Sequence, residues 1–300
     1  MKEMNFIYKK RIEWVIEHIN NNLDESLALA DLARVACFSP YHFHRIFVAI
    51  TGETVHNFTN RLRVEKAAKL LKYSQQSILS VALDAGFSSS ATFSRSFKNY
   101  FGITPKEFRK KGDLVNSKIC KDLYPINQHL APVDPRHLES VFPIEIKKLS
   151  KRRVAYIRVV NSFQEGVVLD AYQQMITWAT ELGIYNSQTI FGMSLDDLMV
   201  TPKDKYRYEV CLTIPDSLKV DHDVISVMHI PQCRYATTVV SGDINQVATA
   251  YDYLYNHWLV NSLYEPEHQH TLEVFLDKFN VCSWNHFELE LYLPIKPLLD

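Results

Sequence analysis

Apolar residues in the first third of the chain recur with helical spacing: Ile12, Val15, Ile16 and Ile19 follow an i, i+3, i+4, i+7 pattern, and so do Val64, Ala67, Ala68 and Leu71. This predicts helices throughout Met1 to Lys111, with only short breaks. From Gly112 to Pro143 the periodicity dissolves. Pro125, Pro132, Pro135 and Pro143 punctuate a polar stretch there, which predicts a linker over residues 112–140. Beyond it, runs such as Arg153 to Val160 and Phe287 to Leu293 alternate as strands do, separated by two helical segments. The expected layout is an all-α domain over residues 1–111 and an α+β domain over residues 141–300.

Both domains carry internal repeats. Ala33, Ala36, Phe38 and Ser39 recur 49 residues later as Ala82, Ala85, Phe87 and Ser88. One inserted residue shifts the offset to 50, and Phe43, Arg45, Phe47, Gly52, Thr54 and Phe58 recur as Phe93, Arg95, Phe97, Gly102, Thr104 and Phe108. In each copy an apolar helix meets a tight break, and a second helix opens on a serine. Leu27 to Ala36 ends at Cys37-Phe38, and Ser39-Pro40 opens the next helix with a capping hydroxyl and a proline in the first turn. Ile78 to Ala85 stops at Gly86, and Ser88 or Ser89 caps its successor. This is helix-turn-helix grammar given twice.

The stretch from Thr54 to about Lys72 reads as one helix of ~28 Å, a stiff spacer close to the ~34 Å between successive major grooves on one DNA face. Thr104-Pro105-Lys106-Glu107 supplies a capping box for a closing helix. In the second domain Val168, Tyr172, Met175, Ile176 and Ala179 return 79 residues on as Val247, Tyr251, Leu254, Tyr255 and Trp258. Tyr208-Glu209-Val210 returns at the same offset as Phe287-Glu288-Leu289, which predicts two β-α-β-β repeats.

In the second helix of the first unit, Phe43, Ile46, Phe47 and Ile50 form the expected buried stripe. Tyr41, Arg45 and Val48 then face outward, with His44 at the flank. In the corresponding helix of the second unit Phe93, Phe97 and Phe101 are buried, and Ala91, Arg95 and Lys98 face outward beside Ser94. Each outward face centres on an arginine, whose guanidinium donates two parallel hydrogen bonds to guanine O6 and N7. One such arginine reads as an ordinary solvated side chain; recurrence at the equivalent position of a duplicated unit favours DNA contact.

Charge supports that division. The formal charge of -1 hides a net of +7 over residues 1–112 and -8 over the remainder, so the first third favours polyanions. The five cysteines are odd in number, scattered and without a C-x-x-C pair, which predicts reduced and mostly buried thiols. Nowhere do 18 apolar residues run together and no basic leader precedes an apolar run, so a cytoplasmic protein with no membrane partner is expected. The glycines form no G-x-G-x-x-G or phosphate loop, and there is no G-x-S-x-G or H-E-x-x-H. His42/His44 and His268/His270 lack further spaced ligands, so neither a metal nor a cofactor is expected.

The stretch from Phe38 to Phe47 and the run from Ala85 through Phe93-Ser94-Arg95-Ser96-Phe97-Lys98 to Arg109 closely resemble the AraC/XylS family of regulators. The resemblance implies major-groove contacts from Tyr41, His44 and Arg45 in the first unit and from Ser90, Ala91, Ser94 and Arg95 in the second. Relatives often carry long polar groups where this chain has Ser90 and Ala91, so the second helix is expected to read fewer bases and to lean on phosphate contacts such as Lys98. It further implies a transcriptional activator rather than an enzyme, with double-stranded DNA, a small-molecule effector and RNA polymerase as partners.

Residues 141–300 resemble the GyrI-like effector-binding domain, on Phe191-Gly192-Met193-Ser194-Leu195-Asp196-Asp197, on Thr271 to Leu276 and on Glu290 to Ile295. That resemblance implies a cleft between two pseudo-symmetric halves, where aromatic rings and one carboxylate, matching Glu273, bind lipophilic cations. On strand alternation alone Glu273 reads as a solvated sheet residue. Tyr156, Tyr172, Tyr251, Tyr255, Trp258 and Trp284 are the rings available for a cage, although helical spacing also suits a core. Two other functions stay open for this domain: hydrolysis of a small molecule with Glu273 acting on water, and sequestration of another protein.

Overall fold

The periodic segments of the first third become seven helices among the described residues: α1 (Lys2–Asn21), α2 (Leu29–Val35), α3 (Pro40–Thr51), α4 (Val55–Tyr73), α5 (Ile78–Asp84), α6 (Ser90–Phe101) and α7 (Pro105–Lys111). The computed structural model describes residues 2–111, 135–196, 201, 203–267, 269–278, 281–282 and 286–298. They divide into two compact units that part between residues 118 and 119.

Side-chain caps start α3, α4, α5 and α6. Ser39, Thr54, Ser77 and Ser89 each accept a hydrogen bond from the backbone N–H three residues on, which satisfies a donor left free by the first helical turn. Ser89 therefore caps α6, and Ser88 does not. Thr104 and Glu107 form the reciprocal capping pair of α7, with N–H to oxygen distances of 2.8 and 3.3 Å.

Helix α4 is buried along most of its length and serves two cores. On one side Phe58 and Leu62 join Ile12, Val15, Leu32, Phe43 and Phe47. On the other, Phe93, Phe97 and Phe101 stand at i, i+4 spacing and Phe97 meets Phe108 edge-on at 5.2 Å. Arg61 and Glu65 lie inside this packing. Arg61 donates to Glu53 at 2.8 Å and to Glu65 at 3.4 Å, and the Tyr100 hydroxyl donates to Glu65 at 2.7 Å, which ties α4 to α6. Ile50, expected in the buried stripe, is exposed, because the stripe runs past the core as α3 nears its end at Thr51.

The turns of the two helix-turn-helix units are equivalent in backbone but not in side chain. Cys37 and Gly86 both adopt a left-handed conformation, with φ of 53° and 87°. Cys37 is exposed, against the expectation of a buried thiol; Cys211 and Cys233 are buried. At Gly86 a Cβ would lie 2.0 Å from the Leu23 carbonyl oxygen and 2.8 Å from Arg63 Nε. Arg63 in turn donates to the Leu23 and Glu25 carbonyls at 2.7 and 2.6 Å, so the end of α1 is held against the second turn.

In the C-terminal unit, α8 (Pro135–Val141) falls at the end of the stretch read as linker. The order that follows is β1 (Glu145–Leu149), β2 (Arg152–Val160), α9 (Val167–Glu181), β3 (Ile190–Ser194), β4 (Arg207–Thr213), β5 (Ser226–Ile230), β6 (Cys233–Gly242), α10 (Ile244–Asp252), β7 (Tyr264–Pro266), β8 (Thr271–Phe275) and β9 (Phe287–Pro297). Helix α10 opens on a capping box at Asp243 and runs on through a wider-wound turn over Tyr253–Trp258. The strands form one antiparallel sheet in the order β1-β6-β9-β8-β3-β4-β2-β5, with β7 alongside β9. At its centre β3 pairs with β8, and Gly192 stands directly opposite Glu273.

The two left-handed turns generate a paired prediction. Cys37→Gly is expected to stabilise by about 1 kcal/mol, since relief of a strained left-handed residue exceeds the added freedom of glycine in the unfolded chain. Gly86→Ala is expected to cost about 2 kcal/mol or more, because a methyl group there meets backbone that Arg63 holds in place. Urea denaturation of both variants reads the two signs.

Candidate functional site

The outward faces of α3 and α6 differ in how their arginines are held. Tyr41 is 68% exposed at the start of α3, and the Arg45 guanidinium lies 5.8 Å from its ring with Nη1 donating to the hydroxyl at 3.5 Å. This i, i+4 pair restricts Arg45 before any partner arrives, so less side-chain entropy remains to be lost on contact. His44 is exposed beside it. On α6, Ala91 occupies the place of Tyr41, so the exposed Arg95 has no ring four residues before it. Ser90 and Ser94 are half-buried, and Lys98 is exposed in the last turn, where the helix dipole favours a cation. The structure thus brings Tyr41, His44 and Arg45 together on one face and Ala91, Arg95 and Lys98 on another.

In the C-terminal unit Glu273 lies on the sheet face that α9 and α10 cover. Its carboxylate accepts the Tyr208 hydroxyl at 2.6 Å on one oxygen and the Tyr251 hydroxyl of α10 at 2.9 Å on the other. Tyr172 of α9 shares a 3.0 Å hydrogen bond with Tyr208 and packs edge-on against Phe275 at 5.3 Å. No cation reaches Glu273 within ion-pair distance among the described residues. Burial pushes its pKa above the ordinary carboxylate range, and donation from Tyr208 and Tyr251 opposes part of that rise. The hydroxyls of Tyr172, Tyr208 and Tyr251 are themselves pushed well up, by burial first and the nearby carboxylate second, so they remain donors.

Comparison with known proteins now bears on both places. Residues 142–296 match the GyrI-like small molecule binding domain, and residues 32–111 match a helix-turn-helix domain. The chain is 37% identical over 99 residues to the transposon Tn10 TetD protein of Escherichia coli, covering 33% of this chain and 72% of that protein. It is 36% identical over 106 residues to the probable transcription factor PqrA of Proteus vulgaris, covering 35% of this chain and 85% of that protein. The crystal structure of an AraC-type transcriptional regulator from Chromobacterium violaceum overlaps 35% of this chain and 93% of its own, at 29% identity and a TM-score of 0.33. The chain belongs to the AraC family of transcriptional regulators and carries a GyrI-like domain.

In this AraC-family regulator the helical unit is the DNA-binding part and the GyrI-like domain the small-molecule binding part. Sequence reasoning missed Tyr208 as a partner of Glu273. The available signal was Gly192: a glycine within a strand marks a close approach, and a Cβ there would lie 1.5 Å from the Tyr208 hydroxyl. Of the rings named as a cage, Tyr172 and Tyr251 gather at Glu273, whereas Tyr156 lies on the opposite sheet face and Trp258 stacks on Tyr264 at 6.0 Å. Trp284 lies outside the described residues.

The raised pKa of Glu273 fixes the sign of a pH dependence. The folded GyrI-like domain retains this proton where the unfolded chain has lost it. The group therefore adds stability at low pH that is lost as pH rises from the unfolded carboxylate value through the raised folded one. Glu273→Gln is expected to flatten this limb and to be more stable than the parent near neutrality. Urea melts over about pH 4–7 measure it; an unchanged slope contradicts a buried acid.

Proposed function

We propose that the regulator is a one-component activator in which α3 and α6 enter successive major grooves of one duplex, while a lipophilic organic cation bound at Glu273 sets its activity. The observation that carries the ligand reading is a carboxylate held by two tyrosine hydroxyls under aromatic rings, with no protein cation beside it among the described residues. A bound cation supplies the missing charge, and the rings add about 0.5–2 kcal/mol of cation–π attraction. RNA polymerase is the protein partner that activation requires. No helix among the described residues is long and apolar enough to cross a membrane, and the reading places the regulator in the cytoplasm.

On the DNA side the reading assigns base contacts to Tyr41, His44 and Arg45, with Ser90, Ala91, Ser94 and Arg95 as the second set and Lys98 on phosphate. Support comes from the exposure of Arg45 and Arg95 at equivalent places and from α4, 19 residues long, as the spacer. The domain limits follow the same reading: residues 1–111 bind DNA, 112–140 link, and 141–300 sense. Two β-α-β-β copies within the sensing part are supported by the sheet order, since β4, β2 and β5 follow β3 outward as β9, β6 and β1 follow β8. Met193 and Leu272 face each other at the seam 79 residues apart, the same offset that separates Tyr172 from Tyr251, so the two copies meet about this pair with no insertion between helix and strand.

For DNA, Arg45→Ala is expected to weaken specific binding by about 1–3 kcal/mol and leave non-specific binding nearly intact. Equal losses on operator and random DNA in mobility shifts make it a phosphate contact instead.

For the ligand, Glu273→Gln is expected to weaken benzyltrimethylammonium binding at least ~10-fold, about 1.4 kcal/mol, and to leave binding of its uncharged carbon isostere unchanged. Calorimetry on the full chain decides, and equal affinity of the cation for both proteins overturns the reading.

A further inference from the structure

The face of the sheet opposite Glu273 carries charged groups of its own. Arg158 pairs with Glu209 at 2.5 Å, and Lys147 pairs with Glu290 at 2.5 Å. Tyr292 donates to the same Glu290 at 2.7 Å. Each of these acids has its base. Arg152, at the start of β2, is the exception: its Nε and Nη2 are buried without a hydrogen-bond partner, and it has no ion pair among the described residues. Its guanidinium lies 5.5 Å from the centre of the Phe191 ring.

Tyr235 of β6 borders that guanidinium together with the Cys233 thiol. The residue is 1% exposed, yet its hydroxyl makes no hydrogen bond of normal geometry. Val154, Phe191 and Ile230 pack around the two side chains, and Leu149 and Met228 close the apolar surround. Arg152 as a whole is half-buried, while its Nε and Nη2 face inward, so a ligand reaches them only as the surrounding side chains part.

A guanidinium keeps its proton in any protein environment. Desolvating one without a counter-ion costs several kcal/mol, and a single aromatic face returns only about 0.5–2 kcal/mol of that. The deficit here has a defined chemistry: two donors in a planar fork, a phenol beside them and an apolar surround. The fork matches the two oxygens of a carboxylate.

We propose that Arg152 and Tyr235 form a second ligand site in the GyrI-like domain, one that takes a small organic carboxylate with an apolar body. It stands on the sheet face away from Glu273, has the opposite charge preference and does not rest on the cation reading. The carboxylate accepts from the Arg152 fork and from the Tyr235 hydroxyl, and its apolar body lies against Phe191 and Ile230.

Thermal melts and calorimetry on the full chain with benzoate, hexanoate and benzamide test this. Benzoate and hexanoate are expected to raise the melting temperature of the parent protein at up to about 10 mM, and benzamide is not. Arg152→Met is expected to melt above the ligand-free parent, because it removes an uncompensated charge, and to lose the response to both carboxylates. Glu273→Gln is expected to keep that response, which separates the two sites. Arg152→Lys keeps the charge without the fork and serves if the methionine variant does not fold; it is expected to bind benzoate about fivefold more weakly. Absence of any carboxylate effect on the parent, an equal effect of benzamide, or an undiminished response in the Arg152 variants overturns the proposal.

Discussion

A charge taken out of water must find a partner or destabilise the fold, and this constraint shapes both units of the protein. Arg61 is met by Glu53 and Glu65, Arg158 by Glu209, and Arg207 by Asp196 through a two-pronged contact at 2.9 and 2.5 Å. The Arg158–Glu209 pair also ties β2 to β4 across 51 residues of chain, so it fixes geometry as well as neutralising charge. Within the GyrI-like domain, Glu273 and Arg152 stand out against that background as buried groups without a counter-charge among the described residues. They lie in the same domain, on opposite faces of one sheet.

The sheet makes such a separation possible. Successive residues of a strand point to opposite faces, so Leu272 and Glu273 are neighbours in the chain yet belong to different environments. Leu272 packs with Val154, Phe191 and Tyr235, whereas Glu273 meets the tyrosines brought by α9, α10 and β4. Nine antiparallel strands thereby act as a partition between an acidic and a basic environment a single residue apart.

What was legible in the sequence follows from how local each interaction is. Helix starts at Ser39 and Thr54, the capping box at Thr104 and Glu107 and the stripe of Phe93, Phe97 and Phe101 depend on residues within one or two turns, and periodicity reveals them. Tyr208 and Glu273 are 65 residues apart and meet only because β3 lies between β4 and β8 with a glycine at the crossing. No spacing rule encodes that neighbourhood. The orphan status of Arg152 was invisible for the same reason: a lone arginine opening a strand looks like any solvated one until the cross-strand partners are known. Ile50 goes against expectation because a periodic stripe says which side of a helix is apolar and not how far the core extends along it, and Cys37 because cysteine number and spacing carry no information on which one sits in an exposed turn.

Helix α4 has one more consequence. It contributes side chains to the cores of both helix-turn-helix units, it contains no proline or glycine between Val55 and Tyr73, and Arg63 at its middle grips the end of α1 beside the second turn. The two units therefore share a beam and lack a hinge. Inserting one base pair between the half-operators rotates the second by about 35° around the duplex axis, and the protein has no joint with which to follow. Under the two-groove reading, tolerance to operator spacing is then a property of how easily the DNA twists, and the regulator behaves as a fixed-pitch gauge.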